Sequence, residues 1–261
     1  MTSDVNIILL GSVASLLAGL ATGLGALAVF FVKNVSDQLQ DNMLAGAAGV
    51  MLAASFFSLL LPGLEHGEAI LGSTWAASLL VIFGILSGAG VLYVLHQKLP
   101  HEHFNLGLEG PNASHIRRIW LFIIAITLHN FPEGMAVGVG FAGNDVNNGY
   151  TLAIGIGIQN IPEGMAVAFS LLAINYSRAR AFTIALLTGL AEPVGGVFGA
   201  TLVWLAEPIM PWTLGFAAGA MLFIISNEII PETHRSKDKT LATFSLLIGF
   251  VIMMFLDTTL G

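Results

Sequence analysis

The residues best equipped for chemistry in this chain come in two copies. His129, Asn130 and Glu133 stand in "HNFPEGMAV" (129–137), and Gln159, Asn160 and Glu163 stand in "QNIPEGMAV" (159–167); seven of the nine positions are identical. Each copy lies inside a long apolar segment. A glutamate at the centre of a membrane helix costs about 2.5–3.5 kcal/mol, and Glu192 in "LAEPVGG" adds a third, so the three together cost on the order of 8–10 kcal/mol. No Lys or Arg lies at membrane depth to pair with them, since every basic residue falls in or beside a connection. Protons or bound cations are what remains to compensate them. On a helix, residues four apart share a face and residues three apart are neighbours. Glu133 therefore adjoins both His129 and Asn130, and Glu163 adjoins both Gln159 and Asn160. Facing the segments together makes two clusters, one with His129 and Gln159 and one with Asn130 and Asn160, bridged by the two glutamates. Glu192 can join from the next segment. Imidazole with carboxylate and amide oxygens suits a first-row divalent metal.

The elements that must position these residues are membrane helices. Of the 261 residues 56% are hydrophobic and 10% charged, with a mean hydropathy of +0.85 and a net charge of −7. Soluble domains carry about 25% charged residues. With no cysteine, disulfides, thiolate metal sites and thiol redox chemistry are excluded. No basic tail points to nucleic acid. A spanning helix needs about 20 apolar residues, and eight candidates appear, at 7–32, 42–64, 73–96, 116–142, 149–174, 180–205, 209–230 and 240–260. The first is read as a retained helix and not a signal peptide, because "MTSDVN" lacks a basic n-region. Strand alternation is absent, which disfavours a β-barrel.

The nine basic residues fix a direction. Lys33 follows span 1; Lys98, Arg117 and Arg118 lie between spans 3 and 4; Arg178 and Arg180 between 5 and 6; Arg235, Lys237 and Lys239 between 7 and 8. With eight spans these connections share one side, which the positive-inside rule makes cytoplasmic, so both termini face outward. Internal repetition adds to this. The strong motif pair relates spans 4 and 5. A weaker pair, "LPGLEH" (61–66) and "IPETH" (230–234), relates spans 2 and 7. If spans 1–3 correspond to 6–8, the topology is inverted, as is typical of transporters. Pro132 and Pro162 deny an amide to the carbonyls of Leu128 and Ile158, so kinks are expected there. Such broken backbone is tolerated at membrane depth where it lines a cavity or is buried in protein.

At these residues the chain resembles the ZIP (ZRT/IRT-like) family of divalent metal transporters, in its bacterial GufA-like branch. The resemblance covers all eight spans, and two PEG motifs at this spacing are highly specific to that family. It implies an all-α polytopic bundle in a 3+2+3 arrangement, as one transport domain over 1–261 in a cell membrane (the inner membrane of a bacterium). It implies uptake of zinc, with cadmium, iron or manganese also carried, through a two-metal site between spans 4 and 5. It implies a common homodimer, the lipid bilayer as surroundings and no cofactor beyond the transported divalent metal. Residue by residue, His129, Glu133, Gln159 and Glu163 match the first metal position. Asn130, Asn160 and Glu192, with the bridging glutamates, match the second. Met51 matches a soft thioether ligand from span 2, and Ser58 and Asp257 match polar positions along the path.

Other residues bear on the path. The connection 97–115, read as a cytoplasmic loop, carries His101, His103 and His115, with His96 just before it. Such a tract binds metal loosely or is simply a solvated loop. Glu65, His66 and Glu68 form an outward acidic cluster that would concentrate cations at the mouth or be a hydrated turn. Glu228 and Glu232 are helical neighbours toward the cytoplasmic end of span 7. The alternative to transport is an intramembrane metal-dependent hydrolase, since two carboxylates sharing a site resemble a two-metal clamp. Against it stand the absence of HExxH and of an evident nucleophile.

Overall fold

Length and apolarity make helices of nearly the whole chain. A computed structural model describes residues 2–32, 36–98, 101–103, 107–109, 118–142, 146–173, 176–205, 207–233 and 239–260. The helices are α1 (Thr2–Ala26), α2 (Ala28–Phe31), α3 (Asp37–Ala54), α4 (Leu61–Leu71), α5 (Thr74–Lys98), α6 (Arg118–Ala142), α7 (Val146–Ala173), α8 (Arg178–Gly189), α9 (Ala191–Leu205), α10 (Met210–Ile224), α11 (Ile230–Thr233) and α12 (Lys239–Leu260). Seven stretches among the described residues are long and apolar enough to cross a membrane: 7–31, 38–71, 74–95, 146–169, 178–204, 210–229 and 239–259. They fall on seven of the eight expected spans. The remaining expected span, 116–142, coincides with the 25-residue helix α6.

Several expected single helices are broken. Span 1 turns at Leu27 between α1 and α2, and span 6 turns at Leu190 between α8 and α9. Span 2 passes through a π-helical segment, π1 (Ser55–Leu60), and span 7 through π2 (Ile225–Ile229). Each π segment ends two residues before a proline, Pro62 or Pro231. Pro132 and Pro162, where broken backbone was expected, lie inside the continuous helices α6 and α7. Gly72, with φ 64°, closes α4 in the left-handed conformation that glycine adopts without strain. Within 97–115, read from sequence as a loop, β1 (His101–His103) and β2 (Gly107–Glu109) form an antiparallel hairpin, and β1 packs on α6.

The most extensive helix pairings are α5 with α10, α3 with α12, α6 with α9 and α1 with α7. Small residues make them possible. A β-carbon on Gly49 would collide with the Leu246 carbonyl, one on Gly88 with that of Phe216, and one on Gly138 with that of Gly196. In lipid, where apolar burial drives no association between helices, such close backbone contact is the main source of packing energy. Across their apolar windows α3–α4, α7 and α10 bury 67%, 61% and 61%, whereas α5 and α12 bury 22% and 17%. The first group is therefore central. The second presents Phe83, Leu86, Phe244 and Phe255 to the surroundings.

Candidate metal site

Four elements meet around the repeated motif. α6 carries Asn130 and Glu133, α7 carries Gln159, Asn160 and Glu163, α9 carries Glu192 in its first turn, and α1 lies across them. Two glycines let the elements close. A β-carbon on Gly134, next to Glu133, would collide with the carbonyl of Glu192. One on Gly164, next to Glu163, would collide with that of Thr22. The glycine of each PEG motif thus seats another helix directly against the glutamate's own turn.

The polar side chains brought together are all buried. Asn130, Glu133, Asn160 and Glu192 are fully buried and Gln159 and Glu163 nearly so. Gln159 Nε2 donates to Glu133 Oε1 at 2.5 Å, and Asn160 Nδ2 donates to Glu192 Oε1 at 2.7 Å and to the Ala18 carbonyl at 2.8 Å. The three carboxylates lie close enough to interact electrostatically. Five oxygens at the site have no hydrogen-bond partner among the described residues: Asn130 Oδ1, Glu133 Oε2, Gln159 Oε1, Asn160 Oδ1 and Glu192 Oε2. Buried acceptors in native proteins are almost always satisfied. Unsatisfied buried oxygens beside three carboxylates leave a place for a positively charged ligand, whether proton or metal ion. Among the described residues no three His, Cys, Asp or Glu side chains gather closely enough to hold a metal by themselves. A metal here needs the amide oxygens as well. The backbone of His129 is in α6; its side chain lies outside the described residues.

Met51 is buried one turn before π1, and its carbonyl accepts from Ser55 Oγ at 2.8 Å. Its side chain belongs to the apolar core with Ala18 and Met135. Nearer the other end of α3–α4, Ser58 Oγ donates to Asp257 and Asn148 Nδ2 donates to the Ser58 carbonyl at 3.0 Å. Pro62 explains the second bond, because it has no amide to offer Ser58. Asn148 was not anticipated from sequence; its only signal was a polar residue just before an apolar run. The side chains of His96, His101, His103 and Glu232 and the whole of His115 lie outside the described residues. Glu228 is buried in π2.

Comparison with known proteins decides the family. Residues 97–257 match the family described as ZIP Zinc transporter. The chain belongs to the ZIP family. It is 46% identical to the zinc transporter GufA of Myxococcus xanthus over 253 residues, which is 96% of this chain and 99% of that protein. It is 45% identical to the zinc transporter ZIPB of Bordetella bronchiseptica, over 92% of this chain and 78% of that protein. The human zinc transporter ZIP11 is 36% identical over 92% of this chain and 94% of its own length. The ZIP family is one of transporters, not enzymes, and this member is a multi-pass membrane protein that moves divalent metal.

Proposed function

We propose that this ZIP protein carries zinc into the cytoplasm, with cadmium, iron and manganese as further substrates, through a binuclear site between α6 and α7. The observation that carries the reading is the buried set of unpartnered oxygens on Asn130, Glu133, Gln159, Asn160 and Glu192. In this reading His129, Glu133, Gln159 and Glu163 hold the first ion. Asn130, Asn160 and Glu192, with the bridging Glu133 and Glu163, hold the second, and Met51 is a soft donor on the path. Amide oxygens bind more weakly than imidazole or thiolate, which suits a site that must release its ion. The Ser58–Asp257 pair and the exposed Glu68 mark the outer approach.

The 3+2+3 inverted arrangement belongs to the same reading. Exchanging spans 1–3 with 6–8 and span 4 with 5 turns the α5–α10 pairing into α12–α3, and α6–α9 into α7–α1. It also sets π1 with Pro62 against π2 with Pro231. The basic connections support an orientation with both termini outside. Exposed Trp75 and Trp204 then fall at the outer ends of their spans, where aromatic residues collect.

The experiment is zinc uptake into sealed proteoliposomes loaded with a zinc-sensitive dye, with manganese and cadmium alongside. Wild type is expected to take up metal, and Glu133→Ala and Glu163→Ala to lose at least tenfold while still folding. Normal uptake by both variants would mean that the ion crosses elsewhere. No uptake by a wild type that zinc nevertheless stabilises would mean that the site binds the ion without passing it.

A further inference from the structure

The two halves of the chain repeat in a place that the PEG motifs do not cover. "LLAGLATGLG" (16–25) and "LLTGLAEPVG" (186–195) agree at six of ten positions. Their contacts repeat with them. A β-carbon on Gly19 would collide with the Gly189 carbonyl, and one on Gly189 with the Gly19 carbonyl. One on Gly25 would meet the Ile161 carbonyl, and one on Gly195 the Phe131 carbonyl. Gly164 meets Thr22 as Gly134 meets Glu192. Each contact becomes its companion when the halves are exchanged, and in that frame Thr22 stands where Glu192 stands. The side chains are seated alike at their bases: a β-carbon on Gly19 would lie 3.4 Å from Glu192 Cβ, and one on Gly189 would lie 2.9 Å from both Cβ and Oγ1 of Thr22.

The chemistry of the two positions differs. Glu192 reaches Asn160. The counterpart of Asn160 is Asn130, and Thr22 is too short to reach across as the glutamate does. Thr22 Oγ1 and both amide atoms of Asn130 are left without a hydrogen-bond partner among the described residues, although both side chains are fully buried. Other helical hydroxyls here donate to the carbonyl one turn back, as Thr183 does to Ala179 at 2.8 Å and Thr213 to Ile209 at 3.0 Å. Thr22 does not, and the carbonyl one turn back from it, that of Ala18, receives Asn160 Nδ2. A buried hydroxyl and a buried amide without partners, on adjoining helices, mark a place for a water molecule or an ion.

We propose that Thr22 is a further residue of the metal site, the α1 counterpart of Glu192, which offers its hydroxyl beside Asn130 to the ion or to a water the ion carries. The inference rests on the reading of the paired motif as the metal site. The test measures zinc affinity in detergent by competition with a chelating dye, melting temperature, and uptake in proteoliposomes. Thr22→Val is expected to weaken zinc binding about fivefold, the worth of one ordinary polar contact. Its melting temperature without metal should not fall, and Thr22→Ser should bind as wild type does. Glu192→Thr should lose most uptake, and Thr22→Glu with Glu192→Thr should regain a measurable part by moving the carboxylate to the equivalent position. Zinc affinity of Thr22→Val equal to that of wild type would overturn the inference. So would a double variant that folds and stays inactive while Thr22→Glu alone still binds zinc. Failure of wild type itself to bind zinc would instead sink the reading of the site, and the inference with it.

Discussion

Each carboxylate whose bonds are resolved at the site is held by one amide hydrogen and keeps its other oxygen open. Glu133 takes Gln159 on Oε1 and leaves Oε2 unpartnered; Glu192 takes Asn160 on Oε1 and leaves Oε2 unpartnered. One neutral donor per carboxylate lowers the cost of burying it without neutralising it, so a cation still gains by binding. Gln159→Ala tests this. It should lower stability without metal by about 1–3 kcal/mol, the cost of leaving a buried acceptor unsatisfied. Because Gln159 also serves the first ion, saturating zinc should stabilise the variant less than wild type and widen the gap, read as melting temperatures with and without metal. An unchanged melting temperature in the absence of metal would mean that Glu133 does not depend on Gln159. Much at this scale was legible in the sequence, because spacing of three and four residues fixes which side chains share a helix face. Which amide serves which carboxylate was not, since it depends on how closely α7 approaches α6 and α9. Thr22 escaped for another reason: a threonine in an apolar helix carries no cost that demands an explanation, and only its counterpart in the other half gives it meaning.

Backbone irregularity accompanies some prolines and not others. Pro132 and Pro162 pointed to broken helices, yet α6 and α7 run through them, while π1, π2 and the turn at Leu190 interrupt spans that looked uniform. A proline removes one hydrogen bond, and a packed helix absorbs that loss when neighbours support it. Where Pro62 follows π1, the Ser58 carbonyl that it leaves without an amide is served by Asn148 from α7. A partner from a distant helix leaves no local mark in the sequence. The glycines are the elements' other hidden feature. Gly134→Ala and Gly164→Ala each drive a methyl group into a carbonyl of the facing helix, so both should unseat α9 or α1 from the glutamates. The expected outcome is a lower melting temperature and at least a tenfold loss of zinc uptake. Gly90→Ala, where a β-carbon meets open space, should leave both near wild type. Equal tolerance at all three positions would show that close approach is not what the PEG glycines supply.

Apolar length made most spans legible: seven of the eight expected ones coincide with helices long and apolar enough to cross a membrane, and the eighth with α6. Which helices pair was hidden, because glycine ladders show that a helix can pack closely and not against what. The direction of the whole bundle in the membrane rests on charge alone, and it determines whether the path leads inward from the Ser58–Asp257 end. The absence of cysteine makes this directly measurable. Ser73, exposed between α4 and α5, and Ala179, exposed between Arg178 and Arg180, lie on opposite sides in the proposed topology. In intact cells or spheroplasts, a membrane-impermeant maleimide should label Ser73→Cys at once and Ala179→Cys only after permeabilisation. The reverse pattern would turn the bundle over and make the Ser58–Asp257 end the exit. Labelling of both from outside would mean that an even number of spans, not the expected three, lies between them, and would break the inverted correspondence that equates Thr22 with Glu192.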